Sequence, residues 1–99
     1  MAVHNFGNGS FTRELWVAGK RVFKKPTQVN VEFTTNGAID WLIADASGAI
    51  VATKRYNGGG WHSINLPSLG LYDDYSIGFR NTSGGTQIIR GGDITYADS

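Results

Sequence analysis

The chain has no cysteine. That excludes a disulfide framework, a zinc–thiolate site and a thiol nucleophile. Charged residues make up 17% of the 99 positions, against about 25% in an average globular protein. The formal net charge is only +1, so no whole-molecule field draws nucleic acid or anionic lipid. No apolar run approaches the roughly 18 residues that cross a membrane as a helix. No signal-peptide apolar region follows Met1. No segment keeps a helical period over two turns. Proline occurs twice, at Pro26 and Pro67, each beside turn residues.

What the chain has in excess is glycine, 14 residues in all, about twice the usual share of roughly 7%. These glycines are dispersed between apolar runs, which marks tight turns rather than a disordered repeat. The runs themselves alternate with period 2. Val29, Val31 and Phe33 share one parity, and Asn30, Glu32 and Thr34 the other. Tyr75, Ile77 and Phe79 alternate with Ser76, Gly78 and Arg80. Ile64 and Leu66 alternate with Ser63 and Asn65, and Pro67-Ser68-Leu69-Gly70 separates this run from the next. Ile39, Trp41 and Ile43 lie opposite Leu42 and Ala44. Apolar character on both faces predicts a central strand, or one covered on both sides.

Turn chemistry places the boundaries. Asn36-Gly37 reads as a two-residue hairpin turn. Asp45-Ala46-Ser47-Gly48 reads as a second turn, and Asn57-Gly58-Gly59-Gly60 as a loop. Ser10–Val17 and Arg21–Phe23, joined by Ala18-Gly19-Lys20, read as a hairpin ending at Lys24-Lys25-Pro26. Thr86–Arg90 and Asp93–Tyr96 read as short strands split by a bulge at Gly91-Gly92. Residues 1–9 read as a loosely attached segment anchored by Phe6. The sum is one all-β domain over residues 1–99. Its expected architecture is an antiparallel two-sheet β-sandwich, jelly-roll-like, of eight or nine short strands, with a small barrel as second choice.

Leu42-Ile-Ala-Asp-Ala-Ser-Gly-Ala-Ile-Val-Ala52, followed by the run from Ile64 to Phe79, resembles small secreted jelly-roll modules of the pre-peptidase C-terminal and GOLD-like types. The shared rhythm is strand, Asp-x-x-Gly turn, strand, Gly-rich loop, amphipathic strand, then Gly-x-Tyr leading into a long strand. It spans roughly residues 29–80. The resemblance implies an accessory domain that binds or stabilises without catalysis, and it carries over no functional residue.

Catalytic chemistry finds little to use. His62 and Ser63 are adjacent on a strand, so they point to opposite faces and form no Ser–His pair. His62 shares the parity of Ile64 and Leu66 and reads as a packed residue. No Gly-x-Ser-x-Gly and no two-His metal spacing occurs. Asp73-Asp74 and Asp45-x-Ser47-Gly48 could give oxygens to calcium, but solvated turns are the plainer reading. The Gly58-Gly59-Gly60 run lacks the helix that a phosphate loop needs. The expectation is therefore no enzyme, no cofactor and no metal.

Aromatic residues give the functional lead. Trp41, Tyr75 and Phe79 belong to the core by parity. Trp16 and Trp61 are left open between a covered and an exposed position. An exposed indole beside Asn, Asp and Gly suits sugar, because a flat apolar ring meets the pyranose face while short polar groups meet hydroxyls. The candidate platform is Trp61, Tyr56, Asn57 and Tyr72. Charge supplies a second lead. Residues 1–25 hold five cationic side chains against Glu14 alone, while residues 26–99 hold four against seven carboxylates. Lys20, Arg21, Lys24 and Lys25 are a candidate electrostatic contact, although lysines also blunt an edge against strand pairing. The expected function is non-catalytic recognition of a cell-surface component by an exported protein. Glycan stands ahead of lipid, an anionic membrane is a further partner, and no nucleic acid is expected. An antimicrobial or toxin-like action on a foreign, for instance bacterial, envelope would use the same parts. The alternative is a structural subunit that self-assembles through its sheet edges.

Overall fold

A computed structural model describes residues 1–97 of the chain. Among the described residues nine strands run in order: β1 (Ala2–Phe6), β2 (Gly9–Phe11), β3 (Glu14–Trp16), β4 (Gln28–Phe33), β5 (Ile39–Asp45), β6 (Ile50–Tyr56), β7 (Gly60–Asn65), β8 (Tyr75–Asn81) and β9 (Gln87–Tyr96). They form two antiparallel sheets. One has the order β1-β9-β4-β7, with β2 also on β9, and is called sheet A. The other, sheet B, has the order β3-β8-β5-β6. Apart from β1–β2 and the β5–β6 hairpin, every connection crosses from one sheet to the other. This crossing pattern is jelly-roll-like, here with one five-stranded and one four-stranded sheet. The sheets pack face to face and do not close into a barrel.

The alternating parities meet between the sheets. Val29, Val31 and Phe33 from sheet A face Trp41, Ile43, Ile77 and Phe79 from sheet B in one buried cluster. Phe79 stands edge-on to Phe33 (5.6 Å) and to Trp41 (5.4 Å), the geometry that aromatic quadrupoles favour. Leu42, Ala44, Ser76 and Gly78 are buried as well, although they lie on the outer face of sheet B. Part of that face is covered from β3 and from the segment after it: Trp16, the last residue of β3, lies against Gly78, and the backbone carbonyl of Lys20 accepts a hydrogen bond from Ser76 Oγ at 3.0 Å.

Four expectations are corrected. Asn36-Gly37 makes no hairpin, because β4 and β5 lie in different sheets. Neither residue has the positive φ that the tight turn requires. Gly37 instead allows close approach, since a Cβ there would stand 2.1 Å from Gln87 Nε2. Ser10–Val17 is likewise not one strand. It breaks after Phe11 to change sheets, and Phe23 makes only a single bridge to Tyr75. Residues 1–9 are tied in, with Ala2–Phe6 paired to Tyr96–Gly92. The last two short strands are one ten-residue strand, and its irregularity falls where Glu32 and Phe33 pair with Gly91 and Ile89.

Candidate functional site

The outer face of sheet A carries rows of polar side chains together with the exposed Trp61. Register fixes its rows. Asn65, Gln28, Thr95 and Val3 lie side by side across four strands. Ser63, Asn30, Asp93 and Asn5 form the next row, and Trp61, Glu32 and Gly91 the third. Each of these residues has the parity opposite to the core positions Val29, Val31, His62, Ile64 and Ile94, so all project outward.

The middle row is a hydrogen-bonded chain. Ser63 Oγ donates to Asn30 Oδ1 at 2.5 Å, and Gln28 Nε2 donates to the same oxygen at 3.1 Å. Asn30 Nδ2 donates to Asp93 Oδ1 at 2.9 Å. Three strands are thereby locked by short side chains with few rotamers to lose. In the third row Arg90 pairs with Glu32 at 3.8 Å. Trp61 sits at the β7 end of this row with 61% of its surface exposed. Glu32 is the cross-strand neighbour of the indole, and Gly91, beyond Glu32, carries no side chain. The result is an outer face of amides and hydroxyls that also carries Asp93 and the Glu32–Arg90 ion pair, with the Trp61 ring standing at its β7 edge.

The sequence-predicted platform is divided by the fold. Trp61 belongs to the face just described. Tyr56 turns inward: its ring packs 5.0 Å from Trp41 and 4.9 Å from His62, and its hydroxyl donates to the Ser63 carbonyl at 2.9 Å. Burial pushes the Tyr56 phenol above its ordinary value. Asn57 is exposed in the loop that leads to β7. Tyr72 is 69% exposed but lies in the crossover after β7. That segment is tied to the start of β4 by Leu66 N–H donating to the Thr27 carbonyl at 2.9 Å. Four residues of strand separate Trp61 from Asn65, about 13 Å, so Trp61 and Tyr72 mark opposite ends of the sandwich. Trp16 is half-buried, and its indole N–H donates to Glu14 Oε1 at 3.1 Å.

The other predicted groups are also placed. Lys20 Nζ lies 4.6 Å above the Trp16 ring and 3.5 Å from the Gly48 carbonyl. Arg21 covers Phe23 and Tyr96 and donates to the Tyr96 hydroxyl at 3.3 Å. Lys24 and Lys25 are exposed. Asp45 Oδ1 accepts from Ser47 Oγ, Ser47 N–H and Ala49 N–H, an arrangement that holds its carboxyl below the ordinary range. His62 Nε2 lies 3.1 Å from the Gly58 carbonyl, with the ring between Phe33 and Tyr56.

The residues that sequence reasoning missed are Asn30, Asp93 and Gln28. Their outward parity was visible for β4. Their meeting was not, because it depends on β4 lying between β7 and β9. The chain matches no family model and no curated protein.

Proposed function

We propose that the protein is a non-catalytic carbohydrate-binding module of a cell surface or its surroundings, with the outer face of sheet A as its site. The observation that carries this reading is the exposure of Trp61 beside the Ser63–Asn30–Asp93 chain. A pyranose ring stacks its C–H face on the indole, and its hydroxyls bond to Asp93, Gln28 and the amides of the middle row. The network fixes those groups in advance, so little side-chain freedom is lost on binding. The face favours neutral sugars over sulfated or uronic ones, because the Asp93 carboxylate in the middle row would repel anions, while Glu32 is already paired with Arg90. The non-catalytic reading draws support from His62 and His4, which are packed against Tyr56 and Phe23 respectively.

The test is pull-down on insoluble polysaccharides and titration with soluble oligosaccharides. Wild-type protein is expected to bind a neutral glycan. Trp61→Ala is expected to weaken binding about tenfold or more through loss of the stacking surface, and Asn30→Ala to weaken it as well. Full binding by Trp61→Ala would remove the proposal.

A second reading is assembly through β6, an edge strand on which Ile50 and Val51 are exposed by 42% and 46%. Lys54 and Arg55 on the same strand oppose it. A mass that rises with concentration, and that falls back to monomer on Val51→Lys, is the result that favours assembly.

A further inference from the structure

Six of the nine Lys and Arg side chains form two contrasting sets. Arg55, Arg80 and Arg90, all on strands, pair with Asp40, Glu14 and Glu32. Arg21, Lys24 and Lys25 lie between β3 and β4, and among the described residues none of them has a carboxylate at ion-pair distance. All three belong to one end of the sandwich. There β4 begins, β7 and β9 end, and β8 begins, as the register Gln28↔Asn65, Gln28↔Thr95 and Asp45↔Tyr75 requires. Phe23, bridged to Tyr75 and 5.4 Å from the Tyr96 ring, ties the two sheets together at that end.

Large apolar side chains are exposed on the same segments. Val22 is flanked by Arg21 and by Phe23, and is 41% exposed. Leu69 (43%) and Tyr72 (69%) come from the crossover between β7 and β8, which Asp74 joins to the basic segment by accepting the Lys25 N–H at 3.1 Å. The segments are held, not loose: Phe23 and Tyr75 exchange two backbone hydrogen bonds, and the Lys24 carbonyl accepts from Ala97 N–H at 2.8 Å. Asp73 and Asp74 lie in the same crossover, directly after Tyr72; Asp73 Oδ1 accepts the Asp74 N–H, and Asp74 Oδ1 accepts the Lys25 N–H, so both carboxylates are turned to backbone donors.

We propose that this end of the sandwich docks on anionic lipid headgroups. Arg21, Lys24 and Lys25 meet the phosphates, while Val22, Leu69 and Tyr72 enter the interfacial layer. Arg21, Lys24 and Lys25, which have no ion-pair carboxylate among the described residues, supply the charge complementarity, each worth about fivefold in partition near an anionic bilayer. Interleaved aliphatic and tyrosyl side chains fit the boundary between headgroup and acyl chain. A nucleic acid would use the cations but has no use for exposed Val22 and Leu69. Trp61 itself lies toward the other end, near Phe33 and Gly60.

Co-sedimentation with phosphatidylcholine vesicles, with and without phosphatidylglycerol, tests the proposal. Binding is expected with the anionic vesicles only. The pair Lys24→Gln and Lys25→Gln is expected to lower partition about 25-fold, fivefold for each charge. The triple variant Val22→Ser, Leu69→Ser, Tyr72→Ser keeps the charge and is expected to lower it at least about fivefold through lost apolar burial. These side chains are exposed, and an unchanged near-ultraviolet circular dichroism spectrum verifies that the variants are folded. Trp61→Ala is expected to bind vesicles as wild type does, whatever its behaviour with glycans. Absence of binding to anionic vesicles would overturn the proposal. So would an oligonucleotide that binds as tightly as the vesicles, with the apolar triple variant indifferent, since that pattern marks a general polyanion surface.

Discussion

The indole of Trp16 lies on Gly78 so closely that a Cβ at position 78 would stand 2.6 Å from its ring carbons. Gly78 sits between Trp16 and Leu42 in the register of sheet B. Trp16 therefore acts as cover for the outer face of that sheet, and the absence of a side chain at residue 78 admits it. Gly78→Ala is expected to push the ring aside and destabilise the fold by about 1–3 kcal/mol, the usual cost of overpacking. In a double-mutant cycle with Trp16→Ala the two changes are expected to couple, because the alanine at 78 costs little once the indole is gone. Additive losses in urea unfolding would count against the lid.

Gly92 presents a harder case. A Cβ there would meet the Asn30 carbonyl oxygen at 2.2 Å as well as the Phe6 ring at 2.6 Å. A side chain can rotate away, but a backbone carbonyl in the middle of a sheet cannot. Gly92→Ala is expected to cost more than Gly78→Ala, about 3 kcal/mol or more. Truncating Phe6 is not expected to rescue it. Comparing the two alanine variants by thermal unfolding checks the order.

Three carboxylates give the stability a definite acid limb. Glu14 is held below its ordinary value of 4.5 first by the Trp16 N–H, with Arg80 also contributing. Asp40 is held below 3.8 first by its hydrogen bonds from Arg55. Asp45 is held below 3.8 first by the Ser47 hydroxyl and then by the Ala49 N–H. A depressed carboxyl stabilises the fold in full above its unfolded value, and that stability is lost as pH falls through the folded value. The melting temperature is therefore expected to be insensitive to these groups at neutral pH and to fall below about pH 4. Asp40→Asn should melt lower than wild type at neutral pH, and the two curves should converge in strong acid. A difference that persists in strong acid would mean that the aspartate acts through packing rather than charge.

Much of this fold is legible in the alternation of single residues, and much of its site is not. Val29, Val31, Phe33, Ile77 and Phe79 declare their face by parity, and the fold buries all five. Asp45-x-Ser47-Gly48 declares a true hairpin, since its hydrogen bonds are local. Asn36-Gly37 misleads because turn propensity is a local preference, while the choice of sheet is made by long-range pairing. With β4 held between β7 and β9, the chain after Phe33 has to leave for the other sheet. The same non-local pairing decides which outward residues become neighbours. Ser63, Asn30 and Asp93 are 33 and 63 residues apart in sequence, and nothing short of the strand order brings them into one row. Ser76 shows the opposite limit: a polar residue on an outward parity is buried because an irregular segment, with no period to read, lies over it.

The three tryptophans occupy three environments, which makes their emission a direct check on the site. Trp41 is fully buried, Trp16 is half-buried against Gly78, and Trp61 is 61% exposed. Trp61→Phe is expected to remove the red edge of the emission and most of the fraction readily quenched by acrylamide, with the melting temperature almost unchanged. Exposed surface positions of this kind shift stability by about 0.5 kcal/mol or less. Trp16→Phe is expected to leave the accessible fraction in place and to lower stability, because it thins the cover over Gly78. If Trp61→Phe instead left quenching intact and cost the fold several degrees, the ring would be packed rather than presented. The outer face of sheet A would then lose the one apolar surface on which a sugar could stack.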